Sequence, residues 1–534
     1  MSHLSKIFNK VPVRVQDKSG FDLSHENLFS AKIGTLIPAS VEEVMPGDVV
    51  SVGSAFSVEL PPLATNFKGR VDARMEAFFV PNRLLWAGWQ DFIVQDPEHK
   101  PIVPGWNVAT TIPKVRLVAS SSGAGSLSDY LGVKAFTSSA AGNPDVNALP
   151  YLAYWKIWDD WYRDSNVQQP FFVDGIQTSS AAQRGVMTCP YERDAFTYTS
   201  SNWTGYNGRN LVNLAQRNFA KDYFTTMTTQ PQSGAAAQLQ FTVENVGEDL
   251  LPGSFSIASL RAANSLQKWL ERNNLGGTRY YDQILAHYGV LPADARMNRS
   301  MLLGSCTSPV IVNTVNQTSQ IGTNVQTKNP YGSSTGAKFG SGSAFGKDRL
   351  IDNFKVTEHG YIIILFSLVP HAYYSTGTRR YLTHRSASAD FAFPEFANIG
   401  DQPVYKSELV SNEIAAGVDD EEIGYTQRYA EYKYHDDEIH GLLQDGQSLN
   451  SFVLSRGFSD EVSVNSALLE IPTTFMDSVM VTTAGVSGFN CIVDAYFDAK
   501  YLRVLPEYSL PSLSSGEDGY DHHTVNVPKG GTRL

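Results

Sequence analysis

The sequence predicts a mainly β protein with a few helices placed between its strands. Residues 71–79 alternate apolar and polar side chains over most of their length, which is the period of a half-buried strand. The turn residues Pro46, Gly47 and Asp48 precede a valine-rich run that favours another strand. Residues 361–369 form the longest strongly apolar run, and this run falls far short of the roughly 20 residues of a membrane span. It therefore indicates a buried strand.

Length and composition bound the class of protein. A chain of 534 residues could hold about three average domains or one large β domain enlarged by insertions. Hydrophobic residues make up 42% of the chain and aromatic residues 11%, which excludes disorder of the whole chain. Only 18% of residues are charged, so we expect much uncharged surface to be buried. The formal net charge of −12 excludes a generic, basic nucleic-acid binder, and any contact with nucleic acid must be local.

Residues 1–20 form a basic arm. Lys6, Lys10, Arg14 and Lys18 are accompanied by a single acid, Asp17. We expect an extended segment, which is either a disordered terminus or an arm that lies against nucleic acid or a neighbouring subunit.

Two segments have helical periodicity. After Pro150, which suits the first turn of a helix, large apolar side chains recur at helical spacing, among them Trp155 and Trp158. This stripe predicts core packing, and an aromatic platform for bases or a contact between subunits is the alternative. Residues 259–274 form the most regular helical pattern, which glycines end.

Two long polar tracts interrupt the apolar pattern. Residues 196–250 are rich in Thr, Gln, Asn, Ser and Gly, and we expect them to form an exposed surface insertion. Residues 313–347 end in a run of glycine and serine, which predicts a flexible polar loop.

Common catalytic motifs are absent from the sequence. It contains no HExxH, no Walker loop and no paired CxxC. Gly340, Gly342 and Gly346 miss the dinucleotide-binding spacing by one residue and favour a loop. We therefore predict that the protein is not an enzyme and that it has no organic cofactor.

An acidic segment is the one candidate for a metal site. Asp436, Asp437 and Glu438 lie between two histidines, and their oxygens are of the kind that divalent cations prefer. The alternatives are a solvated acidic face, or a hydrolase site, which would need two converging carboxylates.

A basic cluster is interleaved with tyrosines. Arg379, Arg380 and Arg385 lie close in sequence to Tyr374 and Tyr381, and arginines with aromatic rings can hold a single-stranded nucleic acid. The alternative is that these arginines pair with acids of the same chain or of a neighbouring chain.

Six stretches together resemble microvirus major capsid proteins, in the order that this family has them. They are more similar to the gokushovirus-like branch than to the φX174-like branch. The stretches are FDLSHENLFSAKIGTLIPASVEEVMPGDVV (21–50), RMEAFFVPNRLLWAGWQDFI (74–93), EHGYIIILFSLVP (358–370), FAFPEFANIGDQPV (391–404), TQRYAEYKYHDDEIHG (426–441) and FVLSRGF (452–458).

The resemblance implies a fold and a division of the chain. Residues 21–505 would form an eight-stranded antiparallel jelly roll, between the basic arm 1–20 and a C-terminal extension 506–534. Long insertions would form most of the outer surface, and one would gather at the threefold axis as a protrusion. Our candidate for that insertion is 196–250. The low charge and high aromatic content agree with a chain that is buried against neighbours.

The resemblance also implies a function: a major capsid protein whose 60 copies form a T=1 icosahedral shell around a circular single-stranded DNA genome and present a host-recognition surface. Its partners would be other copies of the chain, the genome, a small basic internal virion protein, a pilot protein and a host surface receptor, with no membrane insertion. The chain would reside in the virion after assembly in the bacterial cytoplasm. The residues expected to contact DNA or the internal protein are Lys6, Lys10, Arg14, Lys18, Arg379, Arg380 and Arg385.

A carbohydrate-binding or adhesin-like β-sandwich is the alternative function. Tyrosine- and tryptophan-rich loops can stack on sugars as well as on bases. Such a module would sediment as one or a few chains, whereas a capsid protein would form a particle.

Overall fold

The computed structural model describes residues 10–86, 88–94, 112–118, 123–134, 144–172, 197–199, 207–234, 257–276, 279–291, 293–316, 338–410, 421–458, 462–480, 491–507 and 522–528. The strands are β1 Lys10–Gln16, β2 Ser19–Asp22, β3 His25–Ala31, β4 Ile37–Val44, β5 Val49–Glu59, β6 Val71–Pro81, β7 Lys114–Arg116, β8 Asp145–Asn147, β9 Thr197–Thr199, β10 Met301–Pro309, β11 Ile311–Asn316, β12 Lys338–Lys355, β13 Gly360–Pro370, β14 Gln402–Tyr405, β15 Glu422–Thr426, β16 Cys491–Arg503 and β17 His522–Pro528. The helices are α1 Trp89–Val94, α2 Leu127–Tyr130, α3 Leu149–Ile157, α4 Ile257–Gly276, α5 Tyr280–Tyr288, α6 Arg380–Thr383 and α7 Ser466–Leu469, and a π-helical turn, Trp158–Tyr162, continues α3.

Eight strands pair in the nested order of a jelly roll. Among β3, β4, β5, β6, β10, β12, β13 and β16, the first strand pairs with the last, the second with the seventh, the third with the sixth and the fourth with the fifth. All four pairs are antiparallel. A chain that is folded once on itself and then rolled gives this nesting. The predicted mainly β, antiparallel capsid-type fold is confirmed.

The strands form two sheets that pack face to face. One sheet has the order β10-β6-β13-β4, and the other has the order β11-β12-β5-β16, with β2 and β3 both pairing with β16. Between the sheets, the ring of Phe366 on β13 lies 5.5 Å from that of Phe29 and 6.1 Å from that of Phe56. Burying one such side chain contributes about 1.5–3 kcal/mol, so this aromatic contact helps to fix the sheets against each other.

Strand β13 is buried along its whole length, as its apolar run predicts. Its side chains alternate between two apolar clusters: Ile362, Ile364 and Phe366 face the core between the sheets, whereas Tyr361 and Ile363 face a second cluster. A strand that is covered on both faces is apolar at every position, because neither set of alternating side chains meets water.

Helix α3 supplies the second cluster on the outer face of this sheet. Trp155 and Trp158 are almost fully buried, and Trp155 stacks on Phe171 with 4.1 Å between ring centroids. Their indole N–H groups donate to the backbone oxygens of Leu211 and Gln216 at 2.9 and 3.0 Å. Core packing of this aromatic stripe is therefore confirmed.

The residues that accept these hydrogen bonds belong to a segment that we predicted to be exposed, and that prediction is wrong for part of it. We predicted an exposed insertion over 196–250, of which the structure describes 197–199 and 207–234, but Leu211, Val212 and Phe219 of the longer part lie in the core clusters. Some of its polar groups pair within the segment, as where Asp222 accepts from the backbone N–H groups of Phe224 and Thr225. The abundance of polar residues conceals the few apolar anchors that fix the segment.

A second correction concerns the predicted flexible loop 313–347. Its first residues lie in β11 and its last in β12, and 317–337 lies outside the described residues. Gly340, Gly342 and Gly346 all face inward on β12, and a Cβ at these positions would overlap Thr65, Leu60 and Phe56, respectively. The glycines that suggest a loop are therefore required by close packing against the neighbouring backbone and rings.

Candidate interaction surfaces

The chain between β13 and β16 carries most of the predicted site residues. Short strands β14 and β15 pair within it, and it shares with the segment 207–234 a small apolar core that includes Tyr223, Tyr374, Val404 and Leu409. The polar side chains of this region are therefore held on ordered backbone.

Arg380 is held at the centre of this region by a buried carboxylate. Its Nη1 donates to Glu408 Oε1 at 3.0 Å and to the backbone oxygen of Pro403 at 2.6 Å. The hydroxyl of Tyr223 donates to the other oxygen of Glu408 at 2.9 Å. Both charged groups are largely buried, so the pair has little access to solvent or to a phosphate.

Arg379 and Arg385 are also paired with acids of the same chain. Arg379 donates from Nε and Nη2 to the two oxygens of Glu438 at 2.6 and 2.8 Å. Arg385 Nη2 donates to Glu431 Oε1 at 2.8 Å. This geometry agrees with the interpretation in which the arginines pair with local acids. Contact of Arg379, Arg380 and Arg385 with DNA or an internal protein remains a prediction.

Asp436 lies among other carboxylates. Burial, together with the negative charges of Asp222 and Glu438, raises the pKa of Asp436 to about 7. Its Oδ1 has no hydrogen-bond partner within the described ranges. The side chain lines a cavity of about 350 Å³, whose wall also includes Tyr374 and His440.

The acidic segment is not arranged as a metal centre. Glu438 is engaged by Arg379, and His440 Nε2 lies 3.3 Å from its Oε2. Across the described residues, no group of three or more His, Cys, Asp and Glu side chains could hold a metal ion. Cation binding by Asp436, Asp437 and Glu438 therefore remains a prediction without a preformed site.

Part of the basic arm is ordered by the other end of the chain. Lys10 and Arg14 lie in β1, which pairs antiparallel with β17, opposite Pro528 and Thr524. Lys18 is exposed just before β2, and Lys6 lies outside the described residues. These contacts do not test the predicted role in binding DNA or an internal protein.

Helices α4 and α5 form a pair with exposed apolar side chains. The predicted helix 259–274 is confirmed as α4. The ring of Trp269 on α4 stacks on His287 of α5, and His287 Nε2 lies 2.6 Å from Asn273 Oδ1. The base of the pair is anchored where Asn274 Nδ2 donates to the Gln230 backbone oxygen at 2.8 Å. The exposed large apolar side chains of the pair are Leu260, Leu266, Trp269, Leu275, Tyr280, Leu285 and Tyr288.

Sequence reasoning missed the acidic partners of the arginines. Glu408 and Glu431 lie 28 and 46 residues from Arg380 and Arg385, beyond the reach of any local pattern. It also missed the exposure of α4, whose apolar stripe is typical of a helix packed on a core. The signal in the sequence that could have indicated this exposure was the position of a long helix next to polar segments.

Comparison with known proteins places these surfaces on a capsid-like chain. The family model described as "Capsid protein (F protein)" matches residues 9–251 and 245–513. The chain is 26% identical to capsid protein VP1 of Chlamydia phage 1, covering 95% of this chain and 97% of that protein. It is 26% identical to capsid protein VP1 of Bdellovibrio phage phiMH2K, with coverage of 96% and 98%. For capsid protein VP1 of Spiroplasma virus 4 the identity is 25%, with coverage of 96% and 100%.

Within the described part of the chain, no helix is both long and apolar enough to cross a bilayer.

Proposed function

Because the chain belongs to the capsid protein (F protein) family, we propose that it is the major capsid protein of a small single-stranded DNA phage. In this proposal, 60 copies form a closed T=1 icosahedral shell around a circular genome. The chain acts by association and carries out no catalysis. It resides in the virion after assembly in the cytoplasm of the bacterial host.

The complete jelly roll with large, partly apolar insertions is the observation that carries this proposal. The sandwich provides a rigid body, and the insertions leave apolar side chains exposed on α4, on α5 and along residues 381–399. A chain that works alone rarely exposes so much apolar surface. Association with neighbours would remove this surface from water.

The outer surface is the expected site of host recognition. Since 207–234 is packed in the core, we propose that α4 and α5 form the outward protrusion instead. The paired helices stand on anchors such as Arg279, whose Nη2 donates to the Arg163 backbone oxygen at 3.0 Å. A receptor on the host surface would meet this helical pair first.

The interior requires compensation for charge. Sixty chains of net charge −12 around an anionic genome would repel it, unless basic groups face inward. We propose that the arm with Lys6, Lys10, Arg14 and Lys18 faces inward, together with a small basic internal protein. A pilot protein completes the expected set of partners.

Electron microscopy of the purified protein from infected cells tests the proposal. Closed particles of uniform diameter are expected, because a jelly-roll shell of one chain type has a fixed number of subunits. One or a few chains per complex, with no closed particle, would contradict the capsid function and favour a binding module.

A further inference from the structure

Four aromatic side chains form an exposed patch around Arg385. The guanidinium of Arg385 lies 5.9 Å from the ring of Phe391 and 5.5 Å from that of Tyr432, and the rings of Phe393 and Phe396 meet edge to face at 6.2 Å. Each of the four rings is between 42% and 57% exposed. We call Phe391, Phe393, Phe396 and Tyr432 the aromatic patch.

Hydrogen bonds beneath the aromatic patch hold it in one arrangement. Glu431 accepts from Arg385 and, at 2.6 Å, from Gln402 Nε2. Gln402 Oε1 accepts from the backbone N–H of Tyr429, whose hydroxyl accepts from the backbone N–H of Phe393 at 3.3 Å. A preorganised surface loses less conformational entropy when a partner binds.

The backbone at Tyr429 supports the same conclusion. Its φ is 58°, in the left-handed region, which costs an ordinary residue on the order of 1–2 kcal/mol. The network around Tyr429 holds this conformation. Strained residues concentrate where a surface has a function beyond its own stability.

Further exposed apolar side chains belong to the same region. From the exposed fractions and the size of each side chain, the aromatic patch and five further apolar side chains of residues 381–442 together expose about 900 Å². One partner in a stable protein–protein interface buries about 800 Å², so this region alone is large enough for such an interface. The additional side chains are Tyr381, Leu382, Ile399, Tyr434 and Leu442.

The charge of the region argues for a protein partner. The described residues 379–410 and 421–444 hold six basic and ten acidic side chains, a net charge of −4. The arginines nearest the surface are already paired with Glu431 and Glu438. A phosphate backbone would meet net repulsion here. Aromatic rings with paired arginines are instead the composition of interface cores between proteins.

We propose that the aromatic patch is a contact with a second copy of this chain within the shell. The inference rests on the proposed capsid function, which supplies many identical neighbours. It assigns one surface of the subunit to assembly rather than to DNA. It also gives Arg385 a positioning role, since its guanidinium packs against the rings of Phe391 and Tyr432.

Photo-crosslinking in assembled particles tests the assignment. Benzoylphenylalanine replaces Phe396, particles are irradiated, and crosslinked products are mapped by mass spectrometry in particles assembled from isotopically light and heavy chains. The expected product joins a light chain to a heavy chain at this position. The same variant irradiated as dissociated chains is the control and should give at least tenfold less of this product. Crosslinks mainly to DNA or to another virion protein would overturn the proposal.

A double substitution gives an independent readout. Phe393→Ser with Phe396→Ser should leave the circular dichroism spectrum of the soluble chain unchanged, because both rings are exposed, and should lower particle yield at least tenfold. Phe396→Leu should restore most of the yield. Particles at the wild-type yield from the double variant would contradict the interface. If the wild-type chain itself forms no particles, the proposed function fails instead.

Discussion

Glu76 on β6 and Arg217 form an ion pair that joins the sandwich to the segment packed on its outer face. Both side chains are less than one-fifth exposed, and Arg217 reaches both oxygens of Glu76. Burial alone would raise the pKa of Glu76, but the charge and hydrogen bonds of Arg217 outweigh it and lower that pKa. Tyr162 also donates to Glu76, at 2.6 Å. Three separate parts of the chain therefore meet at one carboxylate.

Removing Arg217 should be strongly destabilising. Arg217→Met leaves the buried charge of Glu76 unpaired, so we expect the free energy of unfolding to fall by about 3–5 kcal/mol in urea titrations followed by tryptophan fluorescence. Glu76→Gln combined with Arg217→Met should lose less, since no unpaired charge remains. Arg116→Met, which breaks an exposed pair with Asp145, is the control and should cost under about 1 kcal/mol. Equal losses for Arg217→Met and the control would contradict this account.

Gly346 should tolerate no larger side chain. A Cβ there would overlap the ring of Phe56, which is buried in the core between the sheets. We expect Gly346→Val to lower the free energy of unfolding by about 1–3 kcal/mol through overpacking. Ser343→Val on the same strand points outward and should change it by less than about 0.5 kcal/mol. A Gly346→Val chain as stable as the wild type would show that β12 does not pack so closely.

Asp436 should make stability depend on pH. Burial and the nearby carboxylates raise the pKa of Asp436 from 3.8 in the unfolded chain to about 7. Between these values the folded state keeps a proton that the unfolded state loses, so this group lowers stability as pH rises from about 4 to about 7. Asp436→Asn should therefore stabilise the chain at pH 8 by about 1–2 kcal/mol, after allowance for partial exposure, and have little effect at pH 4. Thermal melting at both pH values checks this, and a variant that gains nothing at pH 8 would contradict it.

The basic arm should govern the amount of packaged DNA. Lys6→Glu, Lys10→Glu, Arg14→Glu and Lys18→Glu together reverse the charge of the arm, and we expect about twofold less DNA in each particle without loss of shell formation. Arg261→Glu, Lys268→Glu and Arg272→Glu on the exposed surface of α4 are the control and should leave DNA content unchanged. Phosphate analysis of purified particles measures both. Equal DNA content in arm variant and wild type would refute an inward-facing arm.

Local periodicity predicted the elements whose side chains are almost all buried. Strand β13 and helix α3 are buried, and their apolar runs have the length and spacing that such burial requires. The resemblance to microvirus capsid proteins added the jelly-roll pairing, which joins strands hundreds of residues apart. No pattern within one strand could have supplied that pairing.

Sequence-based prediction failed where the residue composition of a segment suggested exposure but the folded segment is packed against the core. The glycines of β12 suggest a loop, yet Gly342 and Gly346 are small because Leu60 and Phe56 occupy the space beside them. The segment 207–234 is polar overall, yet a few residues such as Phe219 anchor it in the core. The arginine partners could not be predicted either, because the acid that neutralises each arginine is distant in sequence.

Sedimentation of the purified protein, with absorbance recorded at 260 and 280 nm across the peak, tests the central claim most directly. We predict a particle containing about 3.5 MDa of protein, which is the mass of 60 copies of the 58.7 kDa chain, with a high 260/280 ratio from packaged DNA. A species of one to a few chains from complete particles or infected cells would contradict the capsid function.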